Sequence, residues 1–198
     1  MPHEYELKFL GIDKDALRKT LESRGYKLAM PERLMKRETF YFPQNHPQRK
    51  THWGRVRDEG NKITASRKWY ESLDRISIDT IHEECREVKS WEDGLEWVKE
   101  LGYTDMIYQE NTREEWRKSG IEVCLDTWPG LRTFAEVEGP DEAAVLSAAA
   151  ELGFNPQDGV AGSVSEVCRI ELGLSSKEVA AYKVITFEQP LRRKPVGV

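Results

Sequence analysis

Residues 3–10 read HEYELKFL, with Glu4, Glu6 and Lys8 alternating with Tyr5, Leu7 and Phe9. A half-buried strand has a side-chain period of two, so this spelling puts three charges on one face and apolar groups on the other. Alone, such a strand is a solvated face. It gains meaning where other strands repeat the pattern.

Other segments do repeat it. WGRVR (53–57) sets Arg55 and Arg57 on one face and Val56 on the other. KITASRK (62–68) aligns Lys62, Thr64, Ser66 and Lys68. GIEVCLD (120–126) divides Ile121, Val123 and Leu125 from Glu122, Cys124 and Asp126. TFAEVEG (133–139) pairs Glu136 with Glu138 around Val137 and is read with Phe134 on the opposite side. Residues 105–117 carry Arg113, with Trp116 close by. Acids recur at i, i+2 in two strands and arginines in one, which is segregation rather than the free scatter of a solvated sheet.

Helical segments separate these strands. Asp13 can cap a helix that carries Ala16, Leu17 and Leu21 and stops at Gly25. Residues 34–42 read as a strand, and 43–52 as a loop broken by Pro43 and Pro47. WGRVR and KITASRKW form a hairpin around Asp58-Glu59-Gly60-Asn61. Residues 75–88 alternate and read as extended. Ser90 caps a helix with Asp93 at its third position, Leu95, Val98 and Leu101 on one face, and Gly102 as its stop. Pro129 and Gly130 turn between the strands GIEVCLDTW and LRTFAEVEG. An Ala-rich helix (140–154) and a short helix after Gly162 follow, and the tail 191–198 reads as mobile. The order is that of an α+β fold with a largely antiparallel sheet. Closing the sheet into a barrel would turn the charged faces inward, cover the apolar outside with helices and remove strand edges. Such a lumen would hold water, ions and ligand, because burying so many unpaired charges is prohibitive.

The totals are compatible. The 198 residues suit one domain or two small ones, and 38% hydrophobic content supplies one core. A net charge of −5 gives no bulk attraction to nucleic acid, so any anion site must be local. Cys85, Cys124 and Cys168 are odd in number and scattered, which argues against a disulfide framework or a structural zinc site. No leader pattern and no apolar run of about 20 residues is visible, so a cytoplasmic location without membrane insertion is expected. Carboxylate clusters favour hard cations such as Mg²⁺ or Mn²⁺, while arginines clamp phosphate oxygens; both signs together suit a metal-bound oligophosphate.

The motifs together resemble the CYTH, or triphosphate tunnel metalloenzyme, superfamily, which includes class IV adenylate cyclases, thiamine triphosphatases and inorganic triphosphatases. The likeness spans about residues 3–173. It rests on E-x-E-x-K at Glu4, Glu6 and Lys8, R-x-R at Arg55 and Arg57, Lys68 after the turn, Arg113 with Trp116, Leu125-Asp126, and LRTFAEVE with Glu136 and Glu138. Arg132, Asn111 and Pro43 depart from the family pattern. The resemblance implies a closed antiparallel β-barrel of about eight strands with helices outside, over residues 1–175, and a C-terminal extension over 176–198. It implies that Lys8, Arg55, Arg57, Lys68 and Arg113 bind a triphosphate, that Glu4, Glu6, Asp126, Glu136 and Glu138 hold Mg²⁺ or Mn²⁺, and that Lys68 assists the nucleophile or leaving group. It further implies hydrolysis of inorganic, nucleoside or thiamine triphosphate, with adenylate cyclase chemistry as the alternative, and a homodimer as an option. A non-catalytic polyphosphate or nucleotide binder is a third reading, against which the number of acids argues.

Other features read more plainly. In residues 83–87 either Glu83 and Glu87 or Glu84 and Arg86 face the lumen, since a one-residue slip inverts a strand. His3, His46, His52 and His82 read as surface residues, Cys124 as a wall residue, and Trp91 and Trp97 as packing groups.

Overall fold

A computed structural model describes residues 3–74 and 76–194, without the side chains of His3 and Glu4. Among the described residues nine strands are formed: β1 (His3–Leu10), β2 (Lys27–Tyr41), β3 (His52–Asp58), β4 (Ile63–Tyr70), β5 (Ile81–Val88), β6 (Asp105–Lys118), β7 (Ile121–Thr127), β8 (Phe134–Gly139) and β9 (Val184–Ile185). The α-helices are α1 (Lys14–Ser23), α2 (Trp91–Glu100), α3 (Glu142–Glu151), α4 (Val164–Leu172) and α5 (Ser176–Val179). The predicted caps are in place: Asp13 accepts from the amides of Asp15 and Ala16, and Ser90 from that of Asp93.

The sheet runs β2-β3-β4-β5-β1-β8-β7-β6-β9, and β2 pairs with β6 as well. The first eight strands are antiparallel to their neighbours, and β9 adds a short parallel pairing to β6. The result is a curled antiparallel sheet with helices against it. The seam between β1 and β5 is thin, with register pairs His3↔His82 and Glu4↔Ile81.

β2 begins at Lys27, well before the expected residue 34. Register shifts fall between Leu28 and Met30 and between Met30 and Arg33. Pro31, which cannot donate to a ladder, lies in the second irregular stretch. These bulges blur the alternation that would announce a strand. Conversely, residues 76–80 are not strand. Thr80 Oγ1 donates to the Ser77 carbonyl at 2.8 Å and accepts from the Ser77 amide at 2.5 Å, a local turn that outcompetes extension.

The apolar outer face is packed as the alternation requires. Leu7 and Phe9 of β1 pair in register with Val137 and Ala135 of β8, and Val123 and Leu125 of β7 pair with the same two. Val145, Ala148 and Ala149 of α3 join them in one core, where Phe154 stacks on Phe9 at 4.4 Å. On the other side α2 presses on β3 and β4. A Cβ at Gly94 would lie 2.9 Å from Val56 Cγ1, so glycine there permits the close approach. Trp91 and Trp97 pack at this core's margin, as expected.

A third core joins Ile107, Trp128 and Phe134 to Val179, Ile185 and Leu191. Leu191, at the start of the tail read as mobile, is 3% exposed, and its amide donates to the Pro129 carbonyl at 3.2 Å. Residues 195–198 of that tail lie outside the described residues. The β7–β8 turn therefore bears directly on the C-terminal segment. Gly130 has φ +88°, and a Cβ there would come within 2.2 Å of the Leu191 carbonyl oxygen. Gly130→Ala combines left-handed strain with a backbone clash, and is expected to cost at least about 2 kcal/mol. Urea denaturation measures this; a loss below about 0.5 kcal/mol would be inconsistent with a rigid contact.

Candidate active site on the inner face of the sheet

The register carries one face continuously around the sheet. Glu6 and Lys8 oppose Glu138 and Glu136. Glu138 and Glu136 oppose Glu122 and Cys124. Asp126, Cys124 and Glu122 oppose Arg113, Glu115 and Arg117. Arg33, Met35 and Arg37 oppose Arg113, Asn111 and Gln109. Arg37 and Thr39 oppose Arg57 and Arg55, which oppose Thr64 and Ser66. Ser66 and Lys68 oppose Cys85 and Glu83. The predicted groups other than Glu4, whose side chain is outside the described part, thus lie on one inner surface.

Phe134 corrects the reading above. It shares the parity of Glu136 and Glu138, and the β1–β8 ladder continues it in the same row opposite Leu10. It is nevertheless 1% exposed in an apolar core, because the row runs into that core at its end.

Charges on this surface pair in chains. Lys8 Nζ lies 2.5 Å from Glu6 and 3.2 Å from Glu136, and donates to the Gly162 carbonyl at 2.7 Å. Burial pulls its pKa down, but Glu6 and Glu136 outweigh this and hold it above its ordinary value. Glu136 also meets Arg113 at 3.0 Å. Burial alone would raise the Glu136 carboxyl, yet Lys8, Arg113 and Lys68 hold it well below its usual range. Asp126, 0% exposed, accepts from Arg113 Nε at 3.0 Å and Nη2 at 2.6 Å, and from Asn111 at 2.8 Å. Arg55 and Lys68 share Glu83, at 2.9 and 3.3 Å. Arg57 meets Glu59 at 2.6 Å.

At the acidic end the balance reverses. Burial, with Glu136, Glu6 and Glu122 close by, pushes the Glu138 carboxyl up to about 7. A hollow of about 510 Å³ at the β6–β7 hairpin is lined there by Glu122, Glu138, Arg117 and Lys118. Glu115, Glu122 and Cys124 bring one ligand atom each within 4.8 Å of one another, a grouping the sequence did not announce. The Cys124 thiol, buried and raised well above its ordinary value, is a wall residue.

Of the predicted residues, Glu6, Lys8, Asp126, Glu136, Arg113 and Lys68 lie in these ion-pair chains, and Glu138 lies beside them. Arg55 and Arg57 hold the opposite wall. Glu4 is on β1 in the same alternation, with its side chain outside the described part. The open register of β5 resolves: Glu83 faces the inner surface, while Arg86 lies over the Trp97 ring at 4.3 Å on the helix side. Trp116 is turned away from Arg113, buried in the outer core with its indole donating to Glu114 at 2.6 Å. His82, expected at the surface, is 6% exposed and stacks on Trp69 at 5.3 Å, because β5 carries it under that ring.

Sequence reasoning missed Arg37. It is 5% exposed, lies over the Trp128 ring at 4.6 Å and donates to Asn111 Oδ1. Its flanking residues Lys36 and Glu38 are charged too, so alternation alone could not tell which face pointed inward. Only the pairing of Arg37 with Arg57 and Gln109 decides it.

The fold is a curled α+β sheet with acids and bases interleaved on its inner face. The chain belongs to the CYTH domain family, whose model matches residues 2–164. A putative adenylate cyclase from Vibrio parahaemolyticus superposes with a TM-score of 0.69 at 14% identity, over 84% of this chain and 97% of that one. The PH1012 protein from Pyrococcus horikoshii OT3 gives 0.63 at 20% identity, over 83% and 98%. A putative adenylyl cyclase, HpAC1 from Hippeastrum, described as having a dominant triphosphatase activity, gives 0.52 at 15% identity, over 86% and 96%. No curated protein sequence matches. Among the described residues no helix is long and apolar enough to cross a membrane.

The acid cluster has a measurable consequence. With divalent cations chelated, the unfolded Glu138 carboxyl ionises near its ordinary 4.5 while the folded one waits until about 7. Stability contributed at this position is therefore full below about pH 4.5, falls as pH rises to about 7, and stays low above. Glu138→Gln removes the penalty, so in EDTA at pH 8 it melts higher than wild type. The gap is on the order of 2 kcal/mol, discounted from the full shift because the group is partly open to solvent. Thermal melts from pH 5 to 8 read it; a variant less stable than wild type at pH 8 contradicts a strained carboxylate.

Proposed function

We propose that this chain hydrolyses the triphosphate of a small molecule, with the curled sheet acting as a closed tunnel and a divalent cation as cofactor. One observation carries the reading: Lys8, Arg113 and Lys68 converge electrostatically on Glu136, among acids on β1, β7 and β8. Cations from several strands can grip successive phosphate oxygens, which a single basic patch cannot. The pairing of β2 with β6 supports closure of the tunnel. On this reading residues 1–175 form the tunnel domain, and 176–198 form an extension that braces it through Ile185 and Leu191.

The donors fit Mg²⁺ or Mn²⁺. Oxygen ligands crowd together at Glu6, Glu136 and Glu138, where burial and then the neighbouring acids raise the Glu138 carboxyl, a concentration of negative charge that suits a hard cation. These three, with Glu4 next along β1, would hold the ion; when bound, it neutralises phosphate charge and acidifies a water. Asp126 spends its oxygens on Arg113 and Asn111, so its direct part is to orient the Arg113 fork toward substrate. Lys8 and Arg113 stay cationic, their own acid partners having raised their pKa values against the pull of burial. Lys68, beside Glu83, is the group we assign to the nucleophile or leaving oxygen.

The structurally similar putative adenylate cyclases keep ATP cyclisation as the alternative. The test uses purified protein with Mg²⁺ or Mn²⁺ and, separately, tripolyphosphate, ATP and thiamine triphosphate. Orthophosphate release is expected, and Glu136→Gln and Lys68→Ala each reduce it by at least about 100-fold. Cyclic AMP with pyrophosphate from ATP would replace this reading by the cyclase. Binding without product, or full turnover in both variants, would refute the assignment.

A further inference from the structure

Four arginines meet on the basic wall, and three of them have a carboxylate of their own. Arg113 has Asp126 and Glu136, Arg55 has Glu83, and Arg57 has Glu59. Arg37 differs. Among the described residues it makes no salt bridge; its guanidinium donates to the neutral Asn111 amide oxygen and lies over the Trp128 ring. Its Nε is buried without a hydrogen-bond partner. Burial and then Arg57, Arg55 and Arg113 disfavour its charge, and Asp126, reached only through Asn111, offsets part of this, so its protonation is held well below the ordinary arginine range.

A guanidinium 5% exposed, beside three like charges and with no carboxylate in direct contact, is expensive to keep. It is also tightly positioned. Trp128 holds the plane from one side, and Asn111, itself anchored on Asp126, fixes one nitrogen. What the arrangement lacks is an anion in direct contact with the guanidinium. We propose that Arg37 is a further anion-binding residue of the tunnel, preset by Trp128 and Asn111 to take a phosphate oxygen of an oligophosphate alongside Arg55, Arg57 and Arg113. This rests on the triphosphate reading above and deepens it. Arg37 comes from β2, whereas the other three come from β3 and β6. It therefore adds a contact from a separate wall and favours a chain of phosphates over a single one.

The proposal predicts opposite effects on binding and on ligand-free stability. Isothermal titration of inorganic tripolyphosphate in EDTA, with orthophosphate in parallel, is run on wild type, Arg37→Met and Arg37→Lys. Arg37→Met is expected to weaken tripolyphosphate binding at least tenfold, and Arg37→Lys about threefold, because lysine keeps the charge but loses the fork. Orthophosphate binding should change less. Without ligand, Arg37→Met should melt at or above the wild-type temperature, while its tripolyphosphate-induced rise in Tm shrinks. A structural strut predicts the reverse: a lower ligand-free Tm with unchanged affinity. Tripolyphosphate binding within twofold of wild type in Arg37→Met overturns the proposal, as does a lowered ligand-free Tm. If Arg37→Met does not fold, unchanged affinity in Arg37→Lys overturns it. Wild type that fails to bind tripolyphosphate both in EDTA and with Mg²⁺ overturns the triphosphate reading itself, whereas wild-type binding with indifferent variants overturns only the role of Arg37.

Discussion

Lys8 is the constraint on which the inner surface depends. Its side chain is 3% exposed, held between Glu6 on its own strand and Glu136 on the next. A buried ammonium survives only where acids and a carbonyl replace its water, and Glu6, Glu136 and the Gly162 carbonyl do so here. That pairing requires Lys8 to stand opposite Glu136 in the ladder. A one-residue slip of β1 would send Lys8 into the core of Leu7, Phe9 and Val137, and those residues into the polar space. The ion pair and the apolar core thus enforce the same register.

From Lys8 the charge pairing spreads strand by strand. Glu136 links to Arg113, Arg113 to Asp126, Asp126 to Asn111, and Asn111 to Arg37. Each step joins residues on different strands, with Arg113 of β6 reaching both Asp126 of β7 and, across it, Glu136 of β8. The chain ends at Arg37, where the last link is neutral. At the opposite end acids accumulate around Glu138. The inner face is therefore polarised, with excess base toward β2 and β3 and excess acid toward β1, β7 and β8. A metal-bound oligophosphate has a matching division between its cation and its oxygens.

The outer face matters to function because it fixes the inner one. α3 seals the acidic strands and α2 the basic hairpin, each through residues of opposite parity to the site. Leu191 and Ile185 hold the β7–β8 turn and β6 from the C-terminal side, and Trp128, the platform under Arg37, sits in that same core.

Period-two spelling made much of this legible. Glu6 and Lys8 of β1, Arg55 of β3 and Asp126 of β7 are each flanked by apolar or small neighbours, so a single burial decision assigns their face; Arg57 and Lys68, with charged Asp58 and Arg67 beside them, follow from the period of their strands. Where both parities carry charge, as at Lys36-Arg37-Glu38 and Glu83-Glu84, local chemistry does not choose, and only the partner strand does: Arg57 and Gln109 for Arg37, Lys68 for Glu83. Bulges around Pro31 hid half of β2 for the same reason, since a register shift erases the period that reveals a strand. The amino-acid sequence by itself determined which side chains alternate and which helices begin at Asp13 and Ser90. Tertiary structure alone decided which charges meet, and that Arg37, of the four inner arginines, has no carboxylate in direct contact among the described residues, because pairing across strands depends on contacts between residues far apart in the chain.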